Sequence, residues 1–403
     1  MKLNIIGLGY IGLPLAVFFA KNGLDVRGID INENLVKNIN NAKIIDKESK
    51  LSQLLKEVID SGKFKASTNT EEADAFIIAV PTPFKENYVP DLSHIEDAVK
   101  KVAKVIKKGN LIVLESTSPV GTTKSIQKIF QQERPDLNIK EDIYLAYAPE
   151  RMLPGNLTEL VQNDRIIGGI NEDAAKKAEE LYKLIIKGNI YTTTAETAEM
   201  VKLAENSFRD VNIAFANELS MICDKLNLNV NEVINLANHH PRVNILKPGC
   251  GVGGHCVAVD PWFIVSQNPE EAKLIKQARE VNDYKPQFVI NKVLKSVEEL
   301  NLQNPSVSCF GIAFKPDIDD LRESPALFIC ESLSKLYKNI KIVEPNISEL
   351  PETLKSNGAE LSNLDEALKS DILVLLVEHS EFKQIKPQLN TKTQRLIDTR
   401  GIW

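Results

Sequence analysis

The chain alternates short apolar runs with longer stretches in which apolar residues recur every three or four positions. In the N-terminal half the short runs fall at residues 3–6, 25–29, 75–80, 111–115 and 143–146. Strand-sized runs separated by helix-period segments predict βα units, and hence a parallel sheet with helices on both faces. The rhythm breaks at residues 196–226. There Val201, Leu203, Ala204, Phe208, Val211, Ile213, Ala214, Leu219 and Ile222 keep helical spacing with no glycine or proline between them. One long helix is predicted. The alternation resumes at 307–312, 340–343 and 372–376. The pattern predicts an α/β protein with two doubly wound domains joined by a long central helix, divided at residues 1–192, 193–295 and 296–403.

Composition narrows the classes of partner. With 403 residues, 43% hydrophobic content and a net charge of -6, the chain has the make-up of a multidomain globular protein and lacks a basic stripe for nucleic acid or anionic membrane. No apolar run approaches the ~20 residues of a membrane span. Met1-Lys2 leads straight into an apolar run, so no signal peptide is expected. Five scattered cysteines do not form a disulfide framework and point to a reducing, cytoplasmic setting.

The first apolar run leads into Gly7-Leu8-Gly9-Tyr10-Ile11-Gly12, and helical spacing follows. This G-x-G-x-x-G in a strand–turn–helix context reads as a dinucleotide-binding turn of Rossmann type. Asp30, closing the second run, is placed to accept ribose hydroxyls and to repel a 2′-phosphate, which favours NAD over NADP. Thr82 and Thr117 lie at the ends of later runs, where they could contact cofactor and reacting sugar or cap a helix. The proline-stiffened loop at 147–156 carries Glu150 and Arg151, and reads equally as a cover for an anionic substrate or as a plain surface loop.

On the long helix Lys202, Asn206 and Arg209 share one stripe. Their apolar flanks favour a pocket-lining role over a solvated face. Beyond it, His240 and Arg242 flank Pro241 and could reach a phosphate. Four glycines crowd ahead of Cys256 in Gly249-Cys250-Gly251-Val252-Gly253-Gly254-His255-Cys256, and Asp260 follows. Such a loop reads either as a mould around a small ligand with a nucleophilic thiol at its end, or as a tight turn burying a cysteine. The spacing of Cys250, His255 and Cys256 is not that of a zinc site, so no metal is expected. In the last third Lys315 is expected to end a strand and Arg322 to head the next helix.

Together, Gly7-x-Gly9-x-x-Gly12, Ser116-Thr117-x-Pro119-Val120-Gly121, Lys202-x-x-x-Asn206, Gly253-Gly254-His255-Cys256 with Asp260, and Phe314-Lys315 with Arg322 resemble the nucleotide-sugar 6-dehydrogenases, in the family's order and over essentially the whole chain. Within that family the runs 148–155 and 255–263 are most similar to the branch acting on UDP-N-acetyl-D-mannosamine. The branch acting on UDP-N-acetylglucosamine usually carries a carboxylate where Leu153 stands.

The resemblance implies oxidation of a sugar C6 alcohol to a carboxylate with two NAD. Cys256 would be the covalent nucleophile, Lys202 the proton acceptor and donor, Asn206 a holder of oxygens, and Asp260 the residue that orients or activates water. It implies that Arg151, Met152, Lys202, Asn206, Arg209, His240, Arg242, Gly253, Phe314 and Lys315 line the UDP-sugar site. Gly7, Gly9, Tyr10, Ile11, Gly12, Asp30, Thr82, Thr117 and Arg322 would contact NAD. Arg242 would cross to a neighbouring subunit's site, which implies a homodimer or a higher homo-oligomer. UDP-N-acetylglucosamine and UDP-glucose are the alternative substrates. A one-hydride dehydrogenase and a non-catalytic NAD-binding regulatory protein are the rival readings, and neither needs Cys256.

Overall fold

The computed structural model describes residues 1–43, 49–152, 156–254 and 256–403. Leu153, on which part of the resemblance rests, and His255 lie outside the described residues. The chain forms two compact units, Met1–Glu205 and Asn206–Trp403.

The first unit is built on strands β1 (Lys2–Ile6), β2 (Asp25–Ile29), β3 (Phe64–Ser67), β4 (Ala75–Ile78), β5 (Leu111–Leu114), β6 (Tyr144–Tyr147), β7 (Arg165–Gly169) and β8 (Ile190–Thr194). They form one sheet in the order β3-β2-β1-β4-β5-β6-β7-β8, in which only the β6–β7 pair is antiparallel. Every residue of β4 and β5 is buried, as expected for strands covered by helices on both faces. The chain order reverses between β1 and β4, so the C-terminal ends of β1, β2 and β4 mark the crevice where such sheets bind ligands.

The five strands expected in this unit are present, with ends shifted by at most two residues. Three more in this unit were not anticipated. β3 is a four-residue alternating strand, β8 is a threonine-rich edge, and β7 ends in Gly168-Gly169, which read as a break. In the fold those glycines are required by crowding: a Cβ would fall 2.3 Å from Thr194 O at Gly168 and 2.3 Å from Asn171 O at Gly169.

The Ala195–Lys225 helix realises the predicted long helix, and the division between units falls within it. In the second unit, strands β9 (Ser306–Phe310), β10 (Asn339–Val343), β11 (Glu360–Leu361), β12 (Ile372–Leu375) and β13 (Arg395–Asp398) form an all-parallel sheet ordered β11-β10-β9-β12-β13. Val289, Ile290 and Val293 of the Lys273–Glu299 helix pack into its core with Val307, Ile329, Ile342 and Val374. Among the described residues no helix is long and apolar enough to cross a membrane.

Candidate active site

In the first unit, Gly7 leaves β1 with φ +93°. A Cβ there would lie 2.5 Å from Ala79 O, and one at Gly12 would lie 1.8 Å from Gly7 O. At Gly9 nothing stands within 4 Å. The outer two glycines are thus demanded by the turn itself, while the middle one leaves open the surface over the N-terminus of the Gly12–Lys21 helix. Asp30 closes β2 half-buried. Its carboxylate accepts the Leu8 N–H at 2.9 Å and the Asn32 N–H at 2.9 Å, which fixes it beside the turn. Tyr10 (63% exposed) and Ile31 (74%) flank this surface, and Ile11 is half-buried below it. Helix-terminal N–H groups, an open glycine and a fixed carboxylate fit the pyrophosphate and ribose of a dinucleotide. At the ends of β4 and β5, the Thr82 hydroxyl donates to Thr117 O at 2.6 Å and Ser116 to Val80 O at 2.7 Å, so these two loops are tied to each other.

Lys202 is buried, and its Nζ donates to Glu150 O at 2.7 Å. The Glu150 carboxylate points elsewhere. It accepts the N–H groups of Arg151 (2.6 Å) and Met152 (2.8 Å) and pairs with the buried Arg165 at 2.9 Å. Arg165 also donates to Pro149 O at 2.7 Å and lies 3.3 Å from Glu115, whose other oxygen accepts from Tyr182 at 2.8 Å. Burial pushes the Glu115 carboxyl up to about 7. Arg165 opposes that shift and Glu150 adds to it, since one guanidinium faces two buried carboxylates. The 147–156 loop is therefore no plain surface turn where it is described: Glu150 anchors it to β7, and its carbonyl aims Lys202. Arg151 pairs with Glu205 at 2.7 Å and donates to Asp164 O at 2.8 Å, and Met152 is buried. Leu153, Pro154 and Gly155 of the same loop lie outside the described residues.

Glu199, one turn before Lys202, was not singled out from sequence. It is buried, and it accepts the Gly121 N–H (2.6 Å), the Thr123 N–H (2.8 Å) and the Thr123 hydroxyl (2.7 Å) at the start of the Thr122–Glu133 helix. A carboxylate facing the positive end of a helix is favourable. The available signal was a set of polar residues, Glu199, Lys202, Asn206, Asp210 and Asn217, recurring at helical spacing among the apolar positions of that helix.

In the second unit, Asn206 donates to the buried Asp260 at 2.5 Å. Asn217 accepts the Gly249 N–H at 2.8 Å and so fastens the start of the cysteine loop. The two cysteines of that loop differ sharply. Cys250 is buried, donates to Leu376 O at 3.6 Å, and has its thiol pushed up to about 11 by burial. Cys256 is exposed on the turn that opens the Asp260–Gln267 helix, and its carbonyl accepts the Asp260 N–H at 2.8 Å.

The glycines ahead of Cys256 are required by close packing within the protein itself. A Cβ at Gly253 would meet Glu323 O at 2.3 Å, one at Gly251 would meet Pro325 at 2.8 Å, and one at Gly254 would meet the Phe314 ring at 2.9 Å. They let the loop lie against the protein's own 314–325 segment, which brings Phe314 to the cysteine loop. Lys315 stands half-buried in that segment, five residues beyond the end of β9 and not at a strand end. Arg322 is exposed and pairs with Asp320 at 2.5 Å. It precedes the Pro325–Leu336 helix, which Ser324 caps, and so does not head it. Arg209, His240 and Arg242 are exposed, and the Arg242 N–H donates to His240 Nδ1 at 3.3 Å.

Residues 1–186, 196–284 and 308–403 match in turn the NAD binding domain, the central domain and the UDP binding domain of the UDP-glucose/GDP-mannose dehydrogenase family. The chain belongs to this family. Its members include a UDP-N-acetyl-D-mannosamine dehydrogenase of Campylobacter jejuni, 56% identical over 96% of this chain and 97% of the relative. An NDP-N-acetyl-D-galactosaminuronic acid dehydrogenase of Ralstonia nicotianae is 50% identical over 100% of this chain and 96% of the relative. The solved structure of a UDP-D-ManNAc dehydrogenase from Pyrococcus horikoshii is similar at a TM-score of 0.90 and 39% identity, covering 100% of this chain and 96% of that one. As a family member the chain is an NAD-dependent oxidoreductase, and the glycine turn with Asp30 belongs to its NAD binding domain.

Proposed function

We propose that this chain oxidises C6 of UDP-N-acetyl-D-mannosamine to the carboxylate, as a cytoplasmic homodimer supplying a precursor for surface polysaccharide. The division of labour would be NAD on residues 1–192, dimerisation and the cysteine on 193–295, and the uridine nucleotide on 296–403. The observation that carries the reading is the contrast between buried Cys250 and Cys256, exposed at the start of the helix headed by Asp260.

NAD, held by Gly7, Gly9, Tyr10, Ile11, Gly12, Asp30, Thr82, Thr117 and Arg322, supplies the acceptor for the hydride lost from C6 at each of two oxidations. Lys202 takes the hydroxyl proton as the alcohol becomes an aldehyde. The Cys256 thiolate then forms a bond to C6, and the resulting oxyanion receives the proton from Lys202. The second oxidation returns that proton to Lys202 and leaves a thioester. A water held by Asp260 passes a proton to that carboxylate as it attacks C6, the S–C bond breaks to restore the thiolate, and the acid formed releases its remaining proton to solvent as the carboxylate. Asn206, fixed on Asp260, holds the C6 oxygen through these steps. Arg151, Met152, Arg209, His240, Gly253, Phe314 and Lys315 bind the nucleotide sugar, with Arg242 reaching the neighbouring subunit's site.

The dimer has support in the second unit. Phe208 (72% exposed), Phe215 (57%) and Ile222 recur at seven-residue intervals, with Leu219 four residues after Phe215 and Leu226 four after Ile222. This three-four spacing suits the same seam on a second copy. UDP-N-acetylglucosamine and UDP-glucose remain the alternative substrates, and the galactosaminuronic relative at 50% identity makes the sugar's configuration the point to test. Cys256→Ser is expected to abolish acid formation, and Cys250→Ser to retain it. Acid formation by Cys256→Ser at the wild-type rate would overturn the covalent mechanism.

A further inference from the structure

The second unit repeats the nucleotide-binding turn of the first, with different contents. Gly311 follows β9 at φ +85° as Gly7 follows β1 at φ +93°. The Gly311 N–H donates to Val343 O at 2.8 Å, as the Gly7 N–H donates to Ile29 O at 2.8 Å. Glu344 stands after β10 where Asp30 stands after β2, and it accepts the N–H groups of Ile312 (2.8 Å) and Ala313 (3.1 Å). Asp30 is half-buried, whereas Glu344 is buried and faced by the equally buried His379, whose Nε2 lies 3.0 Å from the carboxylate. Burial would raise the Glu344 carboxyl, but His379 and the Ile312 N–H outweigh it and hold the group below its ordinary range.

The other ring nitrogen does separate work. His379 Nδ1 accepts the Asp317 N–H at 2.9 Å and lies 3.2 Å from Asn346 Nδ2. A nitrogen that accepts an N–H carries no proton, so the ring's proton is assigned to Nε2 and points at Glu344. Asp317 has φ +61°, a left-handed conformation that a non-glycine residue keeps only when its surroundings impose it. Those surroundings are the ring of His379 and the next residue. The Asp317 carboxylate accepts the Ser380 N–H at 2.8 Å and the Ser380 hydroxyl at 2.7 Å. The far end of the same turn is closed by the Phe314 N–H to Asp320 O at 3.1 Å and lies against Gly254 of the cysteine loop.

We infer that His379 is a positioning residue: by accepting the Asp317 amide and donating to Glu344 it fixes the 314–317 turn, and with it Lys315, for the nucleotide sugar. The inference rests on reading Phe314 and Lys315 as ligands of that sugar. The test uses the full chain, calorimetric titration with UDP, and steady-state kinetics of wild type, His379→Ala, His379→Asn and His379→Gln. Asn offers an acceptor at about the place of Nδ1, and Gln offers a donor nearer the place of Nε2.

His379→Ala is expected to weaken UDP binding and raise KM for the nucleotide sugar about tenfold, the worth of a hydrogen bond or two, with KM for NAD unchanged within about twofold. His379→Asn should recover most of the loss and restore slow exchange of the Asp317 amide; His379→Gln should recover less. If the alanine variant does not fold, the comparison of Asn with Gln decides alone. Equal UDP affinity across all variants would overturn the inference, as would recovery by Gln and not by Asn. A wild type that fails to bind UDP would instead sink the reading of Lys315, and would do so before any variant is made.

Discussion

At the scale of the residue, the three glycines of the first turn have separable duties. At Gly12 an added methyl would sit 1.8 Å from Gly7 O, whereas at Gly9 it would meet nothing within 4 Å. Gly12→Ala is therefore expected to cost the fold on the order of 2 kcal/mol or more in a denaturant titration. Gly9→Ala should leave unfolding unchanged and raise KM for NAD. If both variants lowered stability alike, the assignment of Gly9 to the ligand would fail. Asp30, held by the Leu8 and Asn32 N–H groups, would face a bound 2′-phosphate with a negative charge. NADP should accordingly give less than about a hundredth of the turnover with NAD, and equal rates would refute that role. The glycine turn was legible in the sequence because it is local: a strand, a tight turn and a helix within residues 2–21 specify it. The duty of Glu150 was not legible. It depends on Arg165 from β7, a strand disguised by its two glycines, and on Lys202 fifty-two residues away.

At the scale of the element, the Ala195–Lys225 helix anchors loops through its polar residues. In the first unit Glu199 holds the Thr122 loop and Lys202 the Glu150 carbonyl; in the second Asn206 holds Asp260 and Asn217 the cysteine loop. Periodicity announced the helix but not the destinations of its polar residues, because a period reports a face and not what packs on it. The strands β5 and β7 meet the same network at Glu115 and Arg165, and here pH enters. The folded chain keeps a proton on the Glu115 carboxyl up to about 7, against 4.5 for the ordinary group. The unfolded chain has released that proton above the lower value. Stability from this group is thus fully present below the lower value and is lost as pH rises through the upper one. Glu115→Gln, neutral throughout, should show a smaller fall in Tm between about pH 5 and pH 8 than the wild type. An equal fall in both would place the titration elsewhere.

At the scale of the whole molecule, two Rossmann-like sheets could be read from the alternation of apolar runs, and the central helix from its uninterrupted period. The glycine-rich stretch before Cys256 left two readings open in the sequence, a ligand's mould or a tight turn. Its glycines yield to Phe314, Glu323 and Pro325, residues far ahead in the chain, so no local pattern could distinguish a ligand's mould from close packing. The exposed seam of Phe208, Phe215 and Ile222 carries a prediction at this scale. Phe215→Asp should shift sedimentation from dimer toward monomer, while an unchanged assembly would place the interface on another face. The central claim is a four-electron oxidation relayed through Cys256. The direct measurement is NADH formed per nucleotide sugar consumed, with UDP-N-acetyl-D-mannosamine, UDP-N-acetylglucosamine and UDP-glucose run side by side. About two NADH per sugar are expected, with UDP-N-acetyl-D-mannosamine alone as the efficient substrate. The same ratio with another sugar would move only the substrate. A ratio near one would contradict the covalent relay.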